Sequence, residues 1–190
     1  MRRQLILACF LLTPVIAAPA LSGPLTDAAA SADAAIAAGD FDAWYAANEV
    51  LIETAWNAAG LHFGNLVATT GPATAYGAYE PRASTVYAAG EPVELYIEPR
   101  GYGYGDLGGG QLEIAFDIDL RVLEPSGSVV MEQENFANFV VKTRARSREL
   151  MVNLTATFDG APAGNYTLEF TFKDRHSDQT ASFTNDITLQ

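Results

Sequence analysis

Segments in which apolar and polar residues alternate dominate the C-terminal half of the chain. From Tyr166 to Lys173, aromatic or aliphatic residues occupy every even position and polar residues every odd position. A period of two puts successive side chains on opposite faces of an extended chain, so this segment predicts a strand with one buried face. Pro162 and Gly164 precede it, and proline followed by glycine is typical of a turn. The local sequence therefore sets both the strand and its beginning.

The same alternation predicts seven strands. No helical pattern lies between them, which favours antiparallel pairing in two sheets packed face to face. The rows Leu112 to Val122 and Leu150 to Phe158 are long enough to line a shared core. The predicted strands are Ala75 to Tyr87, interrupted by Pro81; Val93 to Glu98; Gln111 to Leu123; Ser128 to Phe136; Arg148 to Phe158; Asn165 to Asp174; and Thr180 to Leu189.

A different pattern precedes the strands. Residues 21–60 predict a helical hairpin, in which Gly39 ends an alanine-rich helix and Asp40 caps a second one. Phe41, Trp44 and Tyr45 begin an apolar stripe on that second helix. Residues 61–74 are interpreted as a connector, with a short strand at His62 to Thr69 as an alternative. The predicted fold is mainly β: a seven-stranded antiparallel immunoglobulin-like sandwich over residues 75–190, preceded by a short α-helical hairpin.

Residues 1–20 are typical of a secretory signal peptide. Arg2 and Arg3 precede an apolar run, and the small residues Ala18 and Ala20 fit a cleavage site. We therefore expect a periplasmic or secreted protein whose mature chain has no transmembrane segment. The sequence around Cys9 also resembles a lipoprotein cleavage box, which is the alternative interpretation. Cys9 is the chain's single cysteine, so we expect no disulfide framework in the mature protein.

The charge and the spacing of polar residues exclude several classes of function. With 23 acidic and 11 basic residues, the formal net charge is -12, which makes nucleic acid a poor partner. Asp117, Asp119 and Glu113 share one strand face, but no loop that would wrap a calcium ion accompanies them. We therefore predict no metal, no cofactor and no catalytic residue. Glu98 and Glu113 are the carboxylate pair that a glycosidase interpretation, the enzymatic alternative, would use.

Two short motifs resemble known modules. Gly90-Glu91-Pro92-Val93 leads into one predicted strand, and Pro162-Ala163-Gly164-Asn165-Tyr166 opens a later one. Together they resemble bacterial immunoglobulin-like and fibronectin-type modules, and a group of exported bacterial proteins that join such a module to an N-terminal helical segment. The resemblance implies structural roles for Pro162, Gly164 and Tyr166, in which the Tyr166 hydroxyl pins the preceding connection. It implies no activity.

The first candidate binding segment is the glycine-rich loop around Tyr102 and Tyr104. Packing is not expected to require so many glycines, and tyrosine with glycine is the combination that antibody loops use for recognition. Tyr96 is expected on the outer face of a neighbouring strand and extends this aromatic surface. A sugar or peptide stacking on the rings is the predicted ligand. The alternative is a flexible connection whose tyrosines lie against a sheet edge.

The second candidate is a basic row formed by Lys142, Arg144, Arg146 and Arg148. In an extended chain, residues at every second position point the same way, so these cations would present one surface to an anionic partner. The alternative is cross-strand pairing of this row with Glu113, Asp117 and Asp119.

The sequence thus predicts an exported, non-catalytic binding or assembly module of the bacterial envelope. Its expected partner is an envelope protein, a peptide or a carbohydrate. An accessory subunit that docks on an envelope complex through the helical hairpin is the alternative from a different class of function.

Overall fold

A computed structural model of the protein describes residues 23–190. The predicted signal peptide and Cys9 lie outside this range. The elements are α1 (Pro24–Ala37), α2 (Phe41–Ala59), β1 (His62–Thr69), β2 (Val86–Tyr87), β3 (Val93–Arg100), β4 (Gly105–Gly108), β5 (Gln111–Leu123), β6 (Val129–Thr143), β7 (Val152–Ala156), β8 (Gly164–Asp174) and β9 (Thr180–Leu189). The protein is therefore mainly β, with two helices ahead of the strands, as the sequence predicts.

The two helices begin and end where the local chemistry requires. Pro24 occupies the first turn of α1, and Gly39 follows its end with a φ of 72°. The Asp40 carboxylate then accepts a hydrogen bond of 3.0 Å from the Ala43 amide, capping α2. No residue of α2 is buried, and Phe41 is 67% exposed. Neither helix is long and apolar enough to cross a lipid bilayer.

The chain separates into two compact units, and the boundary between Leu51 and Ile52 falls inside α2. The second unit holds all nine of the strands described above. Residues 61–74, interpreted as a connector, contain β1, which pairs antiparallel with β3. The structure therefore places this segment in a sheet.

The strands form two sheets. The smaller has the order β1-β3-β7. In the larger, the order is β2-β9-β8-β5, with β6 on the other side of β5 and the short β4 pairing with the first residues of β5. Every pairing is antiparallel except that of β2 with β9, which is parallel. The prediction of uniformly antiparallel pairing is wrong at this position.

One hydrophobic core lies between the sheets. The smaller sheet contributes Val93, Leu95 and Ile97 from β3 and Val152 from β7. The larger sheet contributes the predicted row of β5, buried from Ile114 to Val122, and the aromatic row of β8. In β5 and β8 the alternation identified in the sequence thus marks the side of the strand that faces the core.

Besides β1 and the short β4, neither of which is among the seven predicted strands, the predicted and observed strands differ in three places. Residues 75–87 contain only the two-residue β2, because Pro81 lacks an amide hydrogen and Gly77 adopts a φ of 71°. β6 continues past Phe136 to Thr143, since Asn135 forms a bulge with a φ of 52° and does not end the strand. The predicted strand from Arg148 to Phe158 shortens to β7.

Candidate binding site

The glycine-rich loop from Pro99 to Gly110, called the glycine-tyrosine loop below, packs against the core. Tyr102 is 1% exposed, and its ring makes edge-to-face contacts with Trp56 and Phe116 at centroid distances of 5.0 and 5.9 Å. The hydroxyls of Tyr102 and Tyr104 both donate to the Ser147 carbonyl, at 2.7 and 2.6 Å. Tyr102 therefore has no free face on which a ligand would stack.

Close backbone contacts explain the glycines of this loop. A Cβ added to Gly101 would lie 1.9 Å from the Gly60 carbonyl oxygen, and one added to Gly103 would lie 2.7 Å from the His176 carbonyl oxygen. Only glycine fits at such a distance. The expectation that packing does not require these glycines is therefore wrong at both positions.

The third predicted aromatic residue, Tyr96, lies in a polar network around the buried side chain of Glu98. Tyr96 is completely buried and donates a hydrogen bond of 2.8 Å to the Glu98 carboxylate, which is itself 2% exposed. Asn65, Tyr76 and Arg100 donate to the same carboxylate at 3.0, 3.1 and 3.0 Å. Four donors thus surround the two oxygens of one carboxylate.

The network controls the ionisation of its members. Burial opposes the charge on Glu98, but hydrogen bonds from Asn65, Tyr96, Arg100 and Tyr76 outweigh it and hold the pKa of the carboxyl below its ordinary value. Burial is also the main reason that the pKa of Tyr96 rises to about 12. Glu98 is therefore an ionised group with its acceptor positions in use.

We expect Glu98 to make the free energy of unfolding depend on pH. Because its folded-state pKa lies below the unfolded value of 4.5, its stabilisation is present above that pH and is lost as the pH falls through the folded-state pKa. The measurement is urea unfolding of the wild type and of Glu98→Gln at pH ~7 and pH ~3. The stability difference between the two proteins should shrink at the lower pH, and a difference that stays constant would contradict this assignment.

The basic residues do not form one exposed row. β6 ends at Thr143, and Arg144 donates to the Gly109 carbonyl at 3.0 Å. Arg146 and Arg148 both bind the Glu53 carboxylate, at 2.8 and 3.4 Å. The Arg146 guanidinium also lies 5.0 Å from the centre of the Tyr104 ring. Through these contacts, residues 144–148 bind Glu53 of α2 and the glycine-tyrosine loop.

The acidic residues of β5 have partners other than this row. Asp117 binds Arg175, Asp119 binds Lys173, and Glu113 contacts His176 at 3.2 Å. Of the predicted cross-strand pairs, Lys142 and Glu113 do lie opposite each other in the register of β5 and β6, whereas Asp117 faces Asn138 and the arginines lie beyond the end of β6. Among residues 23–190, no group of three acidic, histidine or cysteine side chains is arranged to hold a metal ion.

Glu98 and Glu113, the pair considered for a glycosidase, lie in different sheets. Glu98 belongs to β3 in the smaller sheet, and Glu113 belongs to β5 in the larger sheet. Each carboxylate is engaged by its own neighbours, Glu98 by four donors and Glu113 by His176. This arrangement does not favour the glycosidase alternative.

A cavity that the sequence did not predict opens where β6 begins. It has a volume of about 270 Å³ and an apolar lining. Val122, Ile187 and Leu189 form its buried floor, whereas Val130 and Met131 at its mouth are 50% and 37% exposed. An apolar cavity of this size holds a side chain or a small apolar group.

The turn before β8 forms one wall of this cavity. Ala161 and Pro162 line it, and their compact side chains leave space beside Phe158. Tyr166 also lines it, and its hydroxyl, expected to pin the preceding connection, donates to the Pro162 carbonyl at 3.0 Å. Gly164 begins β8. The wall is therefore held in place by a hydrogen bond from β8 to the turn.

The mouth of the cavity lies beside a free sheet edge. β6 pairs with β5, and no other strand of residues 23–190 pairs with it. Every residue from Val129 to Asn135 is exposed. An edge strand presents unpaired amide and carbonyl groups to solvent, so this segment offers backbone hydrogen bonds next to an apolar cavity. The consecutive residues Val129, Val130 and Met131 were the signal in the sequence, because a strand with one buried face would alternate there.

Comparisons with known proteins show little similarity. No family model matches the chain, and no curated protein matches it. Among solved structures, Spo0M, a sporulation control protein from Bacillus subtilis, matches 69% of this chain and 49% of its own length, with 9% sequence identity and a TM-score of 0.34. The chain thus spans about half the length of that protein, and a likeness this weak carries no argument about fold or function.

Proposed function

We propose that this protein is an exported, non-catalytic binding module that recognises an apolar group of an envelope partner in the cavity at the start of β6. The observation that carries the proposal is the cavity of about 270 Å³, with a buried apolar floor and an exposed apolar mouth at a free sheet edge. Solvent contact of such a surface is unfavourable, and surfaces of this kind commonly mark sites of association. Export rests on residues 1–20, and a reporter enzyme fused to them should leave the cytoplasm.

We further propose that the β unit is an immunoglobulin-like sandwich. In such domains a tyrosine near the start of strand F donates its hydroxyl to the backbone a few residues upstream, as Tyr166 does to Pro162. The sheet order supports the same assignment: β3 and β7 correspond to strands B and E, β5, β8 and β9 to C, F and G, and β6 to the C′ strand of variable-type domains.

Val130→Glu tests the binding site. Its carboxylate would place a charge at the mouth of the apolar cavity, so we expect binding to fall at least about tenfold. The ligands are peptides selected from a random displayed library against the immobilised wild-type protein. Dissociation constants are then measured for the wild type and the variant.

Val140→Glu is the matched control. Val140 lies on the same strand and is 46% exposed, close to the 50% of Val130, but the cavity lining does not include it. This variant should bind as the wild type does. Failure to enrich any peptide, or equal binding by the Val130→Glu protein, would overturn the proposed site.

A second candidate function is an accessory subunit that docks through α2. The supporting observation is that Phe41 and Tyr45 are 67% and 65% exposed on a helix without buried residues. In that case the double variant Phe41→Ser and Tyr45→Ser should lose a co-purifying envelope protein, whereas Val130→Glu should keep it.

A further inference from the structure

We infer that the partner enters this site as an extended segment, which adds a strand to the free edge of β6, places one apolar side chain in the cavity and carries lysine or arginine beside it. This inference rests on the proposed function and names the class of partner. Three features of the described residues support it: the geometry of the edge, the position of the cavity and the sign of the surrounding charge.

The edge has a defined length. β6 is interrupted at Asn135, which adopts a φ of 52° and donates its amide to the Asp119 carboxylate at 2.9 Å. A bulge disturbs regular pairing, and the register of β6 against β5 also shifts at Val130, so the regular part of the open edge runs from Met131 to Glu134. Four residues of strand extend about 13 Å, which is sufficient for a short peptide strand.

The cavity lies at one end of this edge. Met131 belongs both to the cavity mouth and to the open segment of β6, and Val130, also at the mouth, lies at the register shift next to it. A strand hydrogen-bonded to β6 would run about 5 Å from it, and its side chains would alternate between the two faces of the sheet. A side chain on the inner face can therefore reach the cavity, while the main chain supplies sequence-independent hydrogen bonds. This combination is the recognition mode called strand addition.

The negative charge around the edge favours a partner segment that is positively charged. Glu124 lines the cavity, and Glu132 and Glu134 lie on the open segment of β6. Arg121 is the cation paired with Glu132, at 3.7 Å, and the Glu132 side chain is 63% exposed. The whole chain has a formal charge of -12. A basic segment is attracted to this surface, whereas the same edge of a second copy is repelled by it.

A synthetic peptide tests strand addition. The probe has eight residues of alternating lysine and threonine, with a single leucine at the fourth position. Two further versions carry N-methyl groups on the even-numbered or on the odd-numbered backbone amides. Because only one set of amides faces β6 in an added strand, we expect one methylated version to bind at least about tenfold more weakly than the other. Affinities are measured by fluorescence anisotropy at low salt.

The charge requirement is tested on both partners. Replacing the peptide lysines by glutamates should abolish binding, and the double variant Glu124→Gln and Glu132→Gln should weaken binding of the lysine peptide at least about fivefold. Glu80→Gln, which changes an exposed carboxylate outside the cavity lining and β6, is the control and should bind normally.

The outcomes separate this inference from the proposed function. If both methylated peptides bind equally and Val130→Glu still weakens binding, the cavity is a site but strand addition is wrong. If library peptides bind while the lysine-leucine peptide does not, the inference that the partner is basic is wrong. A wild-type dimer in sedimentation that Val130→Glu dissociates would identify a second copy as the occupant and overturn the inference. Loss of all peptide binding would overturn the proposed function as well.

Discussion

Replacing Glu98 by alanine should lower the free energy of unfolding by about 3 kcal/mol, because a buried polar group that loses its partner costs about 1 to 3 kcal/mol and more than one donor is affected. Tyr96 is completely buried, and its hydroxyl would lose the acceptor at 2.8 Å. The Asn65 amide and the Tyr76 hydroxyl would lose the same acceptor, but both residues are exposed and would turn to water at a smaller cost. Arg100, whose side chain is 42% exposed, would do the same. Urea unfolding at neutral pH measures the loss.

Glu94→Ala is the matched control for this prediction. Glu94 lies on the same strand, four residues away, and is 8% exposed. Its carboxylate accepts a single side-chain hydrogen bond in the structure, from Thr155 at 2.7 Å. We therefore expect a loss of about 1 kcal/mol, the ordinary contribution of one hydrogen bond. Equal losses at the two positions would show that the additional donors around Glu98 contribute nothing.

The sequence predicted best those strands that have one buried face. In β8, Leu168, Phe170 and Phe172 are completely buried and alternate with polar residues, so the local pattern alone identifies both the strand and its inner face. In β5 the row from Ile114 to Val122 behaves in the same way. These predictions succeeded because a strand with one buried face shows a sequence period of two.

β3 is a strand whose burial the alternation of apolar and polar residues does not predict. Its sequence alternates, so Tyr96 was expected to lie on an open face, yet every residue from Val93 to Pro99 is buried. Part of the cover comes from the segment between β1 and β2: Tyr79 packs on Tyr96 at a ring distance of 4.3 Å, and the Gly77 amide donates to the Tyr96 hydroxyl. Nothing in a strand's own sequence records that a loop will cover its second face.

The cavity could not be predicted from any one segment of the sequence, for a similar reason. Its floor comes from β5 and β9, its mouth from β6 and one wall from the turn before β8. A cavity is the space that side chains leave between them, so it appears only when distant segments are placed together. The sequence shows the apolar residues at the start of β6, but the local pattern predicts only a strand there and does not indicate a cavity.

The glycine-tyrosine loop offers the second large effect, at Gly101. Alanine there would combine a φ of 73° with a Cβ placed 1.9 Å from the Gly60 carbonyl oxygen and 2.5 Å from its carbon. The left-handed conformation costs a non-glycine residue about 1 to 2 kcal/mol, and an overpacked site adds about 1 to 3 kcal/mol. We expect Gly101→Ala to lose about 2 to 5 kcal/mol in urea unfolding, since the clash is with backbone, which cannot turn aside as a side chain can.

Gly108→Ala separates the cost of the left-handed conformation from the cost of the clash with backbone. Gly108 has a φ of 82°, close to that of Gly101, but a Cβ added there would meet no atom within 4 Å. Its substitution should therefore cost only the conformational part, about 1 to 2 kcal/mol. A larger loss at Gly101 would show that this loop is held by close backbone packing. Equal losses would mean that the loop moves freely enough to accept a side chain, and the flexible connection considered from the sequence would then be the better description.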